Sequence, residues 1–172
     1  GLLHSMEQSG VDLSVIMPVV TKPSQFDSIN VFAKNINEQS KGNVLSFGGI
    51  HPDCENYKEK LEYIKSLGLP GIKLHPDFQG FKADDPKMDK IYSIIESRLP
   101  VLIHCGDEKL DNSSPKRIAN VLERFPNLTI IAAHLGGYMN WQESMDYLVS
   151  KNLYMDTSSA IRYMDIGSAT KL

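Results

Sequence analysis

Four of the five histidines of the chain stand where a short apolar stretch ends. The segments around them are GGIHPD, IKLHPD, LIHCGD and AAHLGG, which contain His51, His75, His104 and His134. A neutral imidazole is the commonest metal ligand of proteins, and its charge changes near neutral pH. Because the carboxyl ends of parallel strands gather on one face of an α/β fold, the recurrence indicates one shared site for metal binding or acid–base chemistry.

His104 and His134 are the candidate metal ligands. Side chains two residues apart on a strand point the same way, so His104 shares a face with Leu102, and His134 shares one with the small Ala132. Both histidines can therefore point inward, with space beneath them. Ligands on neighbouring rigid strands suit Zn²⁺ or a similar divalent ion. The alternative for each is a structural histidine bonded to a loop carbonyl.

Three further residues are candidates for catalysis. His75 could polarise or orient a substrate, whereas His51, which precedes a proline, fits a structural role better. Lys73 shares a face with His75, and an unpaired buried ammonium is costly. Lys73 could reach an anionic substrate, pair with a carboxylate, become carbamylated and bridge two metal ions, or extend its amine to solvent. Asp156 could orient a ligand or water, or serve as a turn residue. Asp77 is interpreted as a loop residue.

The elements that must position these residues alternate regularly along the chain. Six apolar strand segments, one of them at residues 44–50, are each separated by a stretch with helical spacing. Asp85 before Pro86 predicts a helix N-cap. Asn140 with Glu143 predicts a capping box at the last helix. Strict alternation implies an α/β fold with a parallel sheet covered by helices. A doubly wound open sheet and a (β/α)8 barrel both satisfy it. The nucleotide-binding glycine motifs of the open sheet are absent, and a barrel usually needs about 250 residues, so this chain holds at most part of one.

Composition narrows the possible partners. The 172 residues carry a net charge of −3 without a Lys/Arg cluster, which predicts no nucleic-acid partner and no anionic membrane surface. No apolar stretch approaches the roughly 20 residues that span a bilayer, and none resembles a signal peptide, so a cytoplasmic location is expected. Cys54 and Cys105 are interpreted as reduced structural thiols. Residues 1–172 are expected to form a single domain that acts on a small molecule, and a homo-oligomer is possible.

Several segments together resemble the amidohydrolase superfamily, in its amidohydrolase 2 branch of metal-dependent TIM-barrel hydrolases, which also contains aminocarboxymuconate-semialdehyde decarboxylase. They are IKLHPDFQGF, VLIHCGD, SPKRIANVLERFPNLTIIAAHLGG and LYMDTSSA. The resemblance implies a (β/α)8 TIM barrel with strands 2 to 7 present and strands 1 and 8 missing. It implies that His104 and His134 are the metal ligands of strands five and six. The family's first-strand His-x-His pair and eighth-strand aspartate are absent, and ATKL resembles the approach to strand eight.

The expected function is that of a metal-dependent hydrolase acting on a small organic substrate through a water activated by Zn²⁺. A non-oxidative decarboxylase or hydratase of the same family is the nearest alternative, because an activated water serves those reactions as well. A catalytically silent, ligand-binding barrel is another alternative. A metal-free aldolase or isomerase is also compatible, and it would need Lys73 as a Schiff-base residue.

Overall fold

The computed structural model describes residues 1–164 together with Gly167 and Thr170. The ATKL segment, which we interpreted as the approach to an eighth strand, lies outside the described residues except for Thr170. Contacts within the chain divide it into two compact units, Gly1–Lys73 and Leu74–Leu172. The expectation of a single domain over residues 1–172 stays a prediction.

The first unit contains short parallel strands separated by helices. Its elements are α1 (Leu2–Ser9), β1 (Ser14–Ile16), α2 (Phe26–Gln39), β2 (Val44–Ser46), β3 (Gly48–Gly49), α3 (Tyr57–Ser66) and the beginning of β4 (Ile72–Leu74). Strand β1 pairs in parallel with β2, and β3 pairs in parallel with β4, where Gly49 lies opposite Lys73.

One predicted strand of the first unit, residues 44–50, is divided between β2 and β3. The side chain of Asn30, buried on α2, donates to the carbonyl of Gly49 at 2.9 Å and accepts from its N–H at 3.0 Å. These two bonds replace strand partners that the β3 backbone would otherwise need. A fully buried asparagine with both ends of its amide satisfied stabilises this arrangement rather than opposing it.

The second unit continues the alternation of strand and helix. After the end of β4, its elements are α4 (Pro76–Gln79), α5 (Asp89–Ile95), β5 (Val101–Ile103), α6 (Pro115–Arg124), β6 (Ile130–Ala132), α7 (Trp141–Tyr147) and β7 (Tyr154–Met155). Strands β5, β6 and β7 are parallel neighbours, with Ile103 opposite Ala132 and Ala132 opposite Met155. The parallel order predicted from the sequence is therefore present in each unit.

The core of the second unit explains why β5 and α6 lie where they do. Val101 and Ile103 are fully buried on β5, and α6 buries Ile118 and Val121 on one face. Burying an aliphatic side chain of this size stabilises the fold by roughly 1.5–3 kcal/mol. Pro115 occupies the first turn of α6, where the N–H that proline lacks has no helical partner. The strand that precedes His104 is therefore fixed by buried aliphatic side chains of β5 and α6.

The helix starts confirm one predicted cap and correct another. Asp85 accepts a hydrogen bond from Lys87 N–H at 2.9 Å, as an N-cap should. The capping box predicted at Asn140 is wrong. The Asn140 amide instead donates to the carbonyl of Asp107 at 3.1 Å, and Glu143 accepts from Lys116 N–H at 3.4 Å. Both side chains therefore tie α7 to neighbouring segments instead of closing its own first turn.

Two smaller expectations can also be compared with the structure. Cys54 and Cys105 are free and buried, and their interpretation as reduced structural thiols stays a prediction. Within the described part of the chain, no helix has both the length and the hydrophobicity that a membrane span requires.

Candidate metal site

His104 and His134 follow β5 and β6 in the second unit. The N–H of His104 donates to the carbonyl of Leu74 at 3.0 Å. His134 has a φ of 61°, in the left-handed region that non-glycine residues rarely adopt. Its N–H donates to Asp156 Oδ1 at 3.1 Å, and its carbonyl accepts from the Trp141 indole at 3.0 Å. These bonds hold an uncommon backbone conformation at the residue whose side chain faces the site.

The two imidazoles meet edge to face. His104 Nδ1 lies 3.1 Å from His134 Nε2, and the ring planes are inclined by 72°. Two nitrogens bound to one tetrahedral zinc ion at 2.0–2.1 Å are expected to lie about 3.3 Å apart. The structure therefore brings the two predicted ligands together at a distance that a shared ion requires. Their role as ligands stays a prediction.

A backbone contact determines which nitrogen of His134 carries a proton. His134 Nδ1 lies 2.7 Å from the carbonyl oxygen of Ser158, which can only accept a hydrogen bond. The proton of the neutral ring is therefore assigned to Nδ1, and the lone pair of Nε2 faces His104. Metal-binding histidines commonly donate their other N–H in this way, because the bond fixes both the tautomer and the ring orientation.

Asp77 is the site residue that the sequence interpretation missed. Its Oδ2 lies 3.8 Å from His104 Nε2 and accepts from the hydroxyl of Ser113 at 2.5 Å. The Asp77 side chain is only 2% exposed. Burial raises the pKa of Asp77 and the charge of Asp107 raises it further, while the hydrogen bond from Ser113 opposes the shift. The available signal was the HPD triplet, which places a carboxylate two residues after His75.

His75 completes a stack of three rings. Its ring lies parallel to that of His104, with centroids 3.9 Å apart, and to that of Phe78, with centroids 3.8 Å apart. Its Nδ1 accepts from Phe78 N–H at 3.4 Å. His75, Asp77 and His104 each offer a ligand atom within 4.8 Å of the others, a grouping that could hold a metal ion. The predicted catalytic histidine is thus next to the predicted ligand.

The other two predicted catalytic residues have different environments. Asp156 belongs to the second unit, and its Oδ1 accepts from His134 N–H, Ser158 N–H and the Ser158 hydroxyl. Asp156 is therefore a turn residue, which is one of the two roles that the sequence allowed. It also contacts the candidate ligand His134 through that residue's N–H. Lys73 lies on β4 in the first unit and is 6% exposed. His51, also in the first unit, accepts from Asp53 N–H at 3.1 Å, in line with a structural role.

The donor atoms around His104 and His134 fit a divalent ion. Asp77 Oδ1 and Asp156 Oδ2 are buried, and no residue in the described ranges gives either oxygen a hydrogen bond. A buried carboxylate oxygen without a donor is costly, and a cation removes that cost. Imidazole nitrogens combined with carboxylate oxygens are the donor set typical of zinc and similar ions.

Solved structures similar to this chain have a TIM-barrel fold. One is an uncharacterised TIM-barrel protein from Bordetella bronchiseptica, with 20% identity, a TM-score of 0.73 and 91% of this chain covered. Another is 4-oxalomesaconate hydratase from Rhodopseudomonas palustris, with 19% identity, a TM-score of 0.63 and 91% covered. A third is a probable 2-pyrone-4,6-dicarboxylic acid hydrolase from Acinetobacter baumannii with citric acid bound, with 15% identity, a TM-score of 0.61 and 92% covered.

The match extends over only part of each of these proteins. This chain spans 58% of the length of each of the three. The comparison confirms the predicted fold class, a TIM barrel of which the chain represents a part.

A search of curated proteins finds no match to the chain. The amidohydrolase family model, in contrast, matches residues 13–171, which is nearly the whole chain. Both histidines of the pair and the Asp77 carboxylate lie inside the matched region. The chain belongs to the amidohydrolase family, as its strand-end histidine segments suggested.

Proposed function

We propose that the protein is a metal-dependent hydrolase of a small organic substrate, in which His104 and His134 hold a divalent ion such as Zn²⁺. The observation that carries the proposal is the 3.1 Å separation between His104 Nδ1 and His134 Nε2. The carbonyl of Ser158 keeps the proton of His134 on the other ring nitrogen, so Nε2 can donate its lone pair to an ion. Membership of the amidohydrolase family supports the same chemistry.

When bound, a divalent ion supplies a Lewis acid and lowers the pKa of a water toward neutrality. Asp156 is the proposed acceptor of the proton that this water loses. Three hydrogen bonds from His134 and Ser158 fix its Oδ1. The second oxygen, Oδ2, is buried and receives no donor from the described part of the chain, so it is the oxygen with capacity to accept.

His75 is the proposed substrate-orienting residue. Because its Nδ1 accepts the N–H of Phe78, the proton of the neutral ring belongs on Nε2, which can donate to a substrate oxygen. The stack with Phe78 and His104 restricts rotation of the ring. Lys73, a residue of the first unit, keeps the role of auxiliary residue for an anionic substrate group only as an interpretation of the sequence.

The nearest alternative is hydration or non-oxidative decarboxylation at the same site. One of the structurally similar proteins is a hydratase, and this similarity supports hydration as an alternative reaction. Hydrolysis and hydration need the same proton acceptor and the same oriented carbonyl or alkene, so the residues named above serve either reaction. The identity of the products distinguishes the two.

Metal analysis tests the proposal directly. The purified protein and the variants His104→Ala and His134→Ala are equilibrated with Zn²⁺, desalted and analysed by mass spectrometry. His4→Ala is the matched control, since His4 is an exposed histidine on α1. We expect about one equivalent of zinc in the wild type and the control, and none in the site variants. A wild type without stoichiometric Zn, Mn or Fe and with no loss of stability in chelator would support the silent, ligand-binding alternative.

A substrate panel then tests the reaction type. The metal-loaded protein is incubated with lactones, esters, amides and unsaturated carboxylic acids, and the products are identified by mass. Addition of water with bond cleavage supports a hydrolase, addition without cleavage a hydratase, and release of CO₂ a decarboxylase. Borohydride trapping of a carbonyl substrate on Lys73 in metal-free protein would support the aldolase or isomerase alternative.

A further inference from the structure

Two consecutive residues of the candidate site have a left-handed backbone. His134 has a φ of 61° and Leu135 has a φ of 53°. Glycine would adopt this conformation freely, but both positions need a side chain. Nε2 of His134 lies 3.1 Å from His104 Nδ1, and the Leu135 residue is only 8% exposed. Because strain of this kind persists only where neighbouring groups enforce it, the groups around these two residues determine where the His134 imidazole lies.

Helix α7 binds the carbonyl groups of both residues. The Trp141 indole N–H donates to the His134 carbonyl at 3.0 Å, and the Ser144 hydroxyl donates to the Leu135 carbonyl at 2.8 Å. The His134 carbonyl also accepts a longer bond from Gly137 N–H, at 3.3 Å. Trp141 and Ser144 are three residues apart, so their side chains lie on one face of the helix. Ser144 is fully buried, so solvent does not compete for its bond.

Gly136 allows α7 to approach the backbone this closely. Its φ is 71°, and a Cβ at this position would lie 2.6 Å from Ser144 Oγ and 2.8 Å from Leu148 Cδ1. Both distances are too short for real contacts, so a side chain here would push the helix away. The missing side chain of Gly136 therefore lets Trp141 and Ser144 reach the backbone that carries the imidazole.

The N–H groups of the same two residues are bound by Asp156. Its Oδ1 accepts from His134 N–H at 3.1 Å, and its backbone carbonyl accepts from Leu135 N–H at 2.6 Å. All four backbone polar groups of the left-handed pair thus have partners. Asp156 is also the proposed proton acceptor, so replacing it changes structure and chemistry together. Trp141 and Ser144 act on the backbone alone, and they are the residues that can separate the two effects.

We propose that Trp141 and Ser144 are positioning residues for the ion: they bind the carbonyls of His134 and Leu135 and thereby keep the His134 imidazole beside His104. Ligand atoms must be held to within about 0.5 Å of their productive geometry. The inference rests on the proposed function, because it explains how one of the two proposed ligands is held. It depends on the backbone of His134 and not on the protonation of either imidazole.

The chain contains a single tryptophan, so the indole N–H can be removed without changing any other residue. The protein is produced with β-(benzothiophen-3-yl)alanine, an analogue in which sulfur replaces the indole N–H. Protein containing 4-fluorotryptophan, which keeps the N–H, is the matched control. Ser144→Ala is the second variant. Its control is Ser46→Ala, since Ser46 is a fully buried serine of the first unit whose hydroxyl also donates to a carbonyl.

Four properties are measured for each protein. Zinc affinity is measured by competition with a chromophoric chelator, and the visible absorption bands of the Co²⁺-loaded protein report the arrangement of the ligands. In metal-free protein, the backbone ¹³C and ¹⁵N chemical shifts of His134 report its backbone conformation. Urea unfolding measures stability. A purely structural role would change stability and leave the Co²⁺ absorption as it is in the wild type.

The expected result is a loss of zinc affinity of about tenfold in the sulfur analogue and in Ser144→Ala, the lower end of the range found when a group supporting a ligand is removed. Both proteins should also show altered Co²⁺ absorption and altered His134 chemical shifts. The 4-fluorotryptophan protein and Ser46→Ala should match the wild type in all three. If Ser144→Ala does not fold, the sulfur analogue, which is nearly isosteric with tryptophan, decides the question alone.

Two results would overturn the inference. If the sulfur analogue and Ser144→Ala keep the wild-type zinc affinity and Co²⁺ absorption while His104→Ala and His134→Ala lose zinc, the proposed site stands and the positioning role is wrong. This conclusion holds even if both proteins are less stable in urea. If instead the two histidine variants bind zinc as the wild type does, the proposed function fails and the inference fails with it.

Discussion

The backbone at His134 is held in a conformation that a histidine adopts only at a cost. A left-handed residue other than glycine is unfavourable by roughly 1–2 kcal/mol. His134 has φ 61° and the next residue, Leu135, has φ 53°. Asp156 binds the N–H of His134, and Trp141 binds its carbonyl. Strain of this kind persists where the surroundings enforce it, and it concentrates at functional sites, which agrees with a role for this imidazole in binding.

Asp156 is predicted to serve both chemistry and structure, and two substitutions separate these roles. Asp156→Asn keeps an oxygen for the N–H groups of His134 and Ser158 but removes the proton acceptor. We expect zinc binding to persist while kcat falls by about 10²–10⁴-fold. Asp156→Ala also removes the hydrogen bonds and should lower the free energy of unfolding by about 2 kcal/mol. Metal content, kcat and urea unfolding measure the three effects.

Asp146→Asn provides the control for this pair, since Asp146 is an exposed aspartate on α7 that accepts only from Gln142 among the contacts described. It should leave all three quantities unchanged. Wild-type kcat in Asp156→Asn would show that another group takes the proton.

Gly106 is required where the chain leaves β5. Its φ is 85°, and a Cβ there would lie 2.4 Å from the backbone nitrogen of Tyr138. Gly106→Ala should therefore lower the free energy of unfolding by about 3 kcal/mol. Gly80 has φ 69° but open space around the same position, so Gly80→Ala should cost only about 1 kcal/mol. Denaturant unfolding measures the difference, and equal losses would mean that the close approach to Tyr138 is relieved by movement.

At the scale of the elements, a polar cluster joins the start of α6 to the segment before α5. Arg117 donates to Asp84 at 2.7 Å, and Asn120 donates to the other oxygen of Asp84 at 2.8 Å. Burial disfavours the charge of Asp84, but the hydrogen bonds from Asn120 and Arg117 outweigh it and lower the pKa of Asp84 below its ordinary value of 3.8. A carboxylate stabilised in the folded state contributes stability above that value and loses it as the pH falls.

Arg117→Met should remove this acid-sensitive stability. At pH 7 the variant should unfold with about 1–2 kcal/mol less free energy than the wild type, since the pair is largely but not fully buried. As the pH falls through 3.8 the difference should shrink, because Asp84 becomes protonated near that pH in the unfolded chain and only below it in the folded wild type. Urea unfolding from pH 2.5 to 7 measures it. Arg98→Met removes an exposed arginine as the control, and a difference from wild type that does not vary with pH would contradict the assignment.

Most elements could be predicted from the sequence because local patterns specify them. The apolar stretch before His104 and the proline-started stripe of α6 both form as expected. The short α4 was not predicted, because four residues carry too little periodicity. The capping box at Asn140 failed for a different reason. Its side chain has a better partner in the Asp107 carbonyl, which is 33 residues away in sequence and invisible to a local rule.

In the candidate site, too, features specified by local sequence could be predicted, and features that depend on distant contacts could not. Recurrence at strand ends was sufficient to find His104 and His134, because parallel strands bring their carboxyl ends to one side. Asp77 could not be ranked above other loop carboxylates, since its importance depends on Ser113, 36 residues later. Nor could the sequence show that one carboxylate oxygen of Asp156 accepts a hydrogen bond from the backbone N–H of His134. Residues that act on other side chains leave little local signal.

At the scale of the whole molecule, an ion bound only by the folded protein must raise its stability. The free energy of unfolding increases by RT ln(1 + [L]/Kd), which is about 1.4 kcal/mol for each tenfold rise in free zinc above Kd. We expect this slope in the wild type when unfolding by denaturant is followed at increasing buffered zinc concentrations. His104→Ala and His134→Ala should unfold with a free energy that does not rise with zinc.

The slope is more informative than the stability of any single variant, because replacing a half-buried histidine changes the baseline for reasons unrelated to metal. The unfolded wild-type chain also contains five histidines and two cysteines that bind zinc weakly, and this binding lowers the apparent slope in the wild type. In the two variants, which have one histidine fewer, the same binding makes the slope slightly negative. A flat response in the wild type would show that the paired imidazoles do not bind the ion in the folded protein.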